Sequence, residues 1–188
     1  DPDNQHGRQL DLSADTGSLV WTLSEEIEDG LWELSIHTLY LSDCTDLVQP
    51  CAALDEGQVL VEYDYHVHYP EPSTGWYLQN PVWGPFGDRV YFAARQYGPD
   101  SHSHYVMAID IASDGSADGL PTVVFGIEDQ VPGDPSYRHV RSVASGLSGW
   151  PNPPREYLAV EIGEDNFFYS CADIYTLDVS ACEDGNPD

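Results

Sequence analysis

The segment Asn80-Pro-Val-Trp-Gly-Pro-Phe-Gly-Asp-Arg-Val-Tyr-Phe92, followed by His104-Tyr-Val-Met-Ala-Ile-Asp110, indicates the fold class of this chain. Short apolar runs bounded by Gly and Pro are typical of β-strands joined by turns. The same pattern extends outward in both directions, and no helical spacing of apolar residues interrupts it. The sequence therefore predicts an all-β protein with strands at Ser18–Leu23, Leu31–Leu41, Gln58–Tyr69, Arg89–Arg95, His104–Ile111, Thr122–Ile127, Tyr157–Ile162 and Ala172–Val179.

Two sets of landmarks recur along the chain. One set comprises the strand-like segments Gly17–Trp21, Gly87–Phe92 and Arg155–Val160. The other comprises Thr38–Asp43, Ala108–Ser113 and Thr176–Ala181, which begin 70 and then 68 residues apart (38 to 108 to 176). Two landmark sets that move together predict an internal repeat. We expect a single domain, 1–188, with approximate units 8–77, 78–146 and 147–188.

The central unit carries a family resemblance. Its Pro-x-Trp strand, Pro-x-Gly turn and Tyr-x-Met-x-x-Asp strand resemble the blade repeat of TolB-like β-propellers. The resemblance implies a β-propeller-like fold of about three four-stranded blades. Because closed propellers have roughly four to eight blades, we expect either a partial propeller from a longer protein or a ring completed by other copies of the chain.

The charge balance is strongly acidic. The chain has 33 acidic residues against 6 basic ones, which gives a formal net charge of −27. A polyanionic partner would be repelled, so nucleic acid is excluded as a predicted partner. Two explanations of the acidity remain open, a hydrated surface suited to salt and carboxylates that bind divalent cations. The 41% apolar content is enough for a folded core in either case.

The cysteines indicate the compartment. Cys44, Cys51, Cys171 and Cys182 are even in number and form no Cys-x-x-Cys pair, which favours disulfides over zinc. We predict a Cys44–Cys51 disulfide and leave open how Cys171 and Cys182 pair. The location is predicted to be secreted, cell-surface or periplasmic, and the start at Asp1 is expected of a mature exported form. No apolar run approaches the roughly 20 residues of a membrane span.

Two segments are candidate metal sites. In Val61–Tyr69, a strand would place Glu62, Asp64, His66 and His68 on one face, and a second pair, His102 and His104, has the same spacing. Together the four histidines predict a zinc or copper site, whereas the alternative is a solvated strand face. Asp110, Asp114 and Asp118 lie among glycines and suggest a calcium loop, although Asp-Gly pairs also form ordinary turns.

The aromatic residues suggest a binding surface. Trp83 and Trp150 occupy equivalent places in the repeat and are predicted to pack in the core. Trp76 and Tyr77 lie in a Pro- and Gly-rich stretch, so we expect them on a loop that contacts a protein, peptide or glycan.

These features favour a non-enzymatic function. The chain has no Gly-x-Ser-x-Gly elbow and no phosphate-binding loop. We expect an extracytoplasmic interaction or structural domain that binds a protein, peptide or glycan, or acts within an assembly of its own copies. The alternatives are a metal-binding protein or metal-dependent enzyme using the His-x-His pairs, and a calcium-stabilised secreted structural domain.

Overall fold

The structure, a computed structural model, describes residues 10–12, 17–40, 57–67, 72–148, 154–164 and 172–179. These residues contain strands and no helix, so the all-β prediction is confirmed. None of them forms a helix long and apolar enough to cross a membrane. The strands are β1 (Leu10–Leu12), β2 (Ser18–Glu28), β3 (Leu31–Tyr40), β4 (Gln58–His66), β5 (Thr74–Trp83), β6 (Arg89–Tyr97), β7 (His102–Asp110), β8 (Thr122–Gln130), β9 (Arg138–Ser148), β10 (Arg155–Glu164) and β11 (Ala172–Asp178).

The strands form two antiparallel sheets. Strands β1 to β8 follow one another in a single sheet, and the second sheet has the order β11-β10-β9. The long sheet is weakly joined in its middle, because the described residues of β4 and β5 pair only through Tyr65–Gly75 and His66–Thr74. Gly75 has a positive φ, and a Cβ there would collide with the carbonyl oxygen of Asp64. A glycine at this position therefore allows β5 to approach β4 and the sheet to bend.

The bend folds β1–β4 against β5–β8 around a shared core. Buried side chains from both halves form this cluster, including Val20, Ile36, Leu78, Phe92 and Ile109. A bent sheet that closes on its own apolar face behaves as a two-layer sandwich.

The second sheet packs against the outer face of β5–β8. Tyr91 and Val106 from the long sheet are buried there with Val140, Leu158 and Val160 from the short sheet. Strands β6 and β7 are therefore buried on both faces, and Val90–Ala94 and Val106–Ile109 are buried without interruption. Burial on both faces explains why these strands read as continuous apolar runs instead of alternating ones.

The propeller prediction is wrong. Eight strands are hydrogen-bonded into one sheet, the other sheet has three strands, and the described strands do not close into a ring of four-stranded blades. The repeated landmarks, as far as the structure describes them, fall on three hairpins, β2–β3, β6–β7 and β10–β11. A hairpin pattern records local pairing, which is equally compatible with a blade and with one continuous sheet. The joining of β4 to β5 is a pairing that the repeat does not encode.

Strands β1, β5 and β9 are absent from the eight strands predicted from the sequence. Trp76 and Tyr77 lie in β5, so their assignment to a loop is wrong. The cause is the Pro- and Gly-rich stretch that leads into β5, since such residues usually mark a loop. The Asn80-Pro81 pair later in the strand is also typical of turns. Here Asn80 has a positive φ and lies in an irregularity of the β5–β6 pairing. Its side-chain amide donates to the carbonyl of Arg141 at 2.5 Å, so the irregular segment is tied to β9.

Candidate functional site: an aromatic cleft

A cleft opens at the bend of the long sheet. Its volume is about 290 Å³, and its lining is contributed by β2, β3, β5 and the end of β4. The lining residues are Ser24, Trp32, Leu34, Tyr65, Val67 and Tyr77. We call this the aromatic cleft. The amide of Val67 donates to the carbonyl of Gly30 at 2.7 Å, which fixes one wall against the β2–β3 turn.

The cleft is the open end of a longer series of aromatic rings. Tyr65 meets Tyr77 edge-on with ring centroids 5.7 Å apart, and its centroid is 5.1 Å from that of Tyr97. On the same strands, Tyr63 stacks on Trp76 at 5.3 Å, and Trp76 lies 5.7 Å from Tyr105. Such pairs restrict one another's rotamers. The cleft walls are therefore organised before any ligand arrives, which lowers the entropy cost of binding.

Carboxylates lie on both faces of the strands that form the cleft. Glu26 is the register partner of Trp32, so both side chains lie on the same face, and its Oε1 accepts from the amide of Gly30 at 3.3 Å. On the opposite face, Glu25, Glu33 and Asp64 form a row of directly opposed cross-strand partners. Burial raises the pKa of Glu33, and the nearby carboxylates Glu62, Glu25 and Asp64 raise it further. The strands that build the cleft thus carry mutually repelling negative charge.

A second polar grouping lies between β6, β7 and the start of β9. His104 is 1% exposed, and its Nδ1 accepts from Arg95 Nε at 3.2 Å. Its proton is therefore on Nε2, which lies 2.9 Å from Tyr137 Oη. The same oxygen lies 2.9 Å from Nδ1 of His102. The ring centroid of His139 lies 5.8 Å from that of His104. We call Arg95, His102, His104, Tyr137 and His139 the histidine cluster.

The electrostatics of the histidine cluster keep His104 neutral. Burial lowers the pKa of His104 to about 2, and the positive charges available to Arg95, His139 and His102 act in the same direction. Both of its ring nitrogens already have partners within the protein. His104 therefore acts as a structural connector between β7 of the long sheet and Tyr137, which directly precedes β9 of the second sheet.

The four histidines predicted to bind a metal are only partly placed. His102 and His104 come together through Tyr137, while His66 lies at the end of β4 and His68 is outside the described residues. Glu62 and Asp64 are exposed and lie on the face opposite Tyr63 and Tyr65, as the alternation predicts. Within the described ranges, no three His, Cys, Asp or Glu residues are arranged to hold a metal ion. The zinc or copper site stays a prediction.

The predicted calcium loop is built mainly by turn interactions. Arg89 Nε donates to Asp110 at 2.5 Å, and the amide of Asp118 donates to the carbonyl of Asp110 at 2.8 Å. Asp114 accepts from both the amide and the hydroxyl of Ser116, which lower its pKa. The loop also contacts β3, since Thr38 Oγ1 donates to the carbonyl of Gly115 at 3.1 Å. Calcium binding stays a prediction.

The remaining predicted residues divide into three groups. Trp83 is 4% exposed and belongs to the core, as expected. Trp76 and Tyr77 are partly buried, and Tyr77 lines the cleft. The four cysteines, Cys44, Cys51, Cys171 and Cys182, and also Trp150, lie outside the described residues.

Sequence reasoning missed Trp32 and Tyr65 as cleft residues. The alternation of Tyr63 and Tyr65 with acidic residues did predict that the tyrosines share a face. What the pattern did not contain was the bend between β4 and β5, which brings Tyr65 to Tyr77.

No family model, no curated protein and no solved structure matches this chain. The TolB-like resemblance thus stays a prediction from its motifs.

Proposed function

We propose that this chain is a non-enzymatic interaction domain that binds a peptide segment of another protein in the aromatic cleft. The observation that supports it is a concave site lined by three aromatic rings and two aliphatic side chains. Ligand sites are typically concave and mostly apolar, with volumes of roughly 300–1,000 Å³. At about 290 Å³ the cleft suits one side chain of a larger partner.

The backbone beside the cleft favours a peptide. In the described part of the chain, β4 pairs with β5 only at Tyr65 and His66. The edge of β4 from Gln58 to Asp64 therefore offers backbone groups without a strand partner among the described residues. An extended peptide can pair with such an edge and insert one side chain into an adjacent pocket.

The lining favours binding over catalysis. Besides the tyrosine hydroxyls it contributes a single hydroxyl, from Ser24, and its described residues include no histidine, cysteine or carboxylate. General acid–base or nucleophilic chemistry needs such groups. A glycan is also less suited, because its many hydroxyls need polar partners that this lining lacks. We also propose that the protein acts at the extracytoplasmic location predicted from its cysteines.

Selection from a random peptide library displayed on phage tests this function. We expect peptides enriched on the wild-type protein to bind the Tyr65→Ala variant at least tenfold more weakly, because the variant removes one wall of the cleft. The matched control is Tyr175→Ala, which removes a 43% exposed tyrosine from β11. Circular dichroism would establish that both variants are folded. No enrichment, or equal binding to Tyr65→Ala, would contradict the proposal.

A further inference from the structure

We infer that the aromatic cleft recognises a cationic side chain of the bound peptide, namely lysine or methylated lysine. This inference rests on the proposed peptide-binding function and names the chemistry of its ligand. It combines the aromatic lining with the negative charge of the strands that carry it.

The lining provides the ring surfaces. Trp32, Tyr65 and Tyr77 come from three different strands and border one cavity. A cation over the face of tryptophan or tyrosine is attracted by the electrons of the ring. Several rings around one cavity are the usual way to bind an ammonium group.

The protein already uses this interaction beside the cleft. The guanidinium of Arg95 lies 5.5 Å from the ring centroid of Tyr97, and that ring contacts Tyr65. Arg95 is itself a positive charge near the cleft, and its Nη1 and Nε are engaged by Tyr97 Oη and His104. The aromatic series therefore already accepts one cation, the guanidinium of Arg95, beside the cleft.

Charge selects a cation over a neutral apolar group. The chain carries a net charge of −27. Glu26 shares the face of Trp32, and Glu25, Glu33 and Asp64 lie on the other face of the same strands. Burial raises the pKa of Glu33, and the neighbouring carboxylates raise it further. A cationic ligand is attracted to such a surface, whereas an anionic one is repelled.

A choline headgroup of a lipid would offer the same cation as trimethylated lysine. Peptide is favoured because the β4 edge supplies backbone groups that a headgroup cannot pair with. The charge of −27 also disfavours approach to membranes, which commonly carry anionic lipids.

Three capped peptides, Ala-Thr-Xaa-Thr-Ala with lysine, trimethyllysine or norleucine at Xaa, test the inference on the wild-type protein. Norleucine keeps the alkyl chain of lysine and removes the charge. Dissociation constants would be measured by tryptophan fluorescence in low salt. We expect both lysine peptides to bind at least tenfold more tightly than the norleucine peptide, and this ratio to fall as sodium chloride is added.

Two variants locate the effect. Trp32→Leu should reduce the ratio between lysine and norleucine peptides to near one, because it keeps an apolar wall and removes a ring. Glu26→Gln should weaken the lysine peptide roughly threefold and leave the norleucine peptide unchanged.

Specific outcomes would overturn the inference. If norleucine binds as tightly as lysine, or if none of the three peptides binds, the cleft does not select cations. The library-selected peptides would still bind in the cleft, so the proposed function would survive either result. Co-sedimentation with phosphatidylcholine vesicles that is lost in Trp32→Leu would instead assign the cleft to lipid headgroups.

Discussion

The aromatic cleft and the histidine cluster are neighbouring groups of rings. The polar atoms of the histidine cluster are bonded to other residues of the protein, whereas the rings of the cleft border a cavity. In the histidine cluster, both nitrogens of His104 and the hydroxyl of Tyr137 are engaged by other residues of the protein. In the cleft, Tyr65 and Tyr77 contact each other edge-on and border a cavity. Tyr97 touches both regions, because it contacts Tyr65 on one side and His102 on the other.

This comparison separates structural aromatic groups from candidate binding groups. The polar atoms of a buried cluster must find partners within the fold, since each buried atom left without one costs about 1–3 kcal/mol. Ring faces need no such partner, so they can remain exposed in a cavity and serve a ligand. His102 and His104 lie in the histidine cluster, whereas the cleft is formed by the bend between β4 and β5.

Disruption of the histidine cluster is expected to have the largest effect on stability. His104→Leu should lower the free energy of unfolding by about 3 kcal/mol, because Arg95 Nε and Tyr137 Oη each lose a buried partner. Urea denaturation would measure it. His104→Gln is the matched control, since its amide can accept from Arg95 and donate to Tyr137, and it should recover part of the loss. A loss below 1 kcal/mol for His104→Leu would contradict the structural role.

The next effect is the response to acid. The pKa of His104 is about 2 in the folded protein, below the ordinary value of 6.5. Its contribution to stability is therefore complete above pH 6.5 and declines as the pH falls toward 2, because only the unfolded chain takes up the proton. The decline amounts to about 1.4 kcal/mol per pH unit.

Comparison with His104→Gln isolates this effect from the many carboxylates. Urea denaturation of both proteins between pH 6 and pH 4.5 should give a steeper loss for the wild type. Parallel curves would show that His104 does not remain neutral in the folded state.

The smallest effect concerns the acidic row behind the cleft. Glu33→Gln should raise the free energy of unfolding by about 0.5 kcal/mol at pH 7, because Glu33 directly opposes Glu25 and Asp64. The pKa of Glu33 is raised in the fold, so its charge destabilises the protein at neutral pH and this cost disappears on protonation.

The gain should therefore vanish as the pH falls through the pKa of Glu33, and thermal unfolding at pH 7 and pH 3.5 would measure it. Glu128→Gln, at an exposed position on β8, is the control. Destabilisation by Glu33→Gln at pH 7 would show that the row is not repulsive.

The sequence predicted local structure well where the pattern of apolar, polar and turn residues within one segment was sufficient. The eight predicted strands correspond to strands of the structure, and Glu62 and Asp64 lie on the predicted face. It failed where turn-forming residues lay at or inside a strand, as at Gly75 in β5. Of the aromatic residues that line the cleft, the sequence predicted Tyr77 as a binding residue, but not Trp32 or Tyr65.

By itself, the sequence determined the all-β class, the hairpins and the acidic surface, because alternation, turn residues and charge are properties of neighbouring residues. Only the tertiary structure decided that β4 joins β5, that β6 and β7 are buried on both faces, and that Tyr65 meets Tyr77. These features depend on which faces and edges come together from distant parts of the chain. A repeat in the sequence indicates the hairpins, but it does not determine how the hairpins pair with one another into sheets.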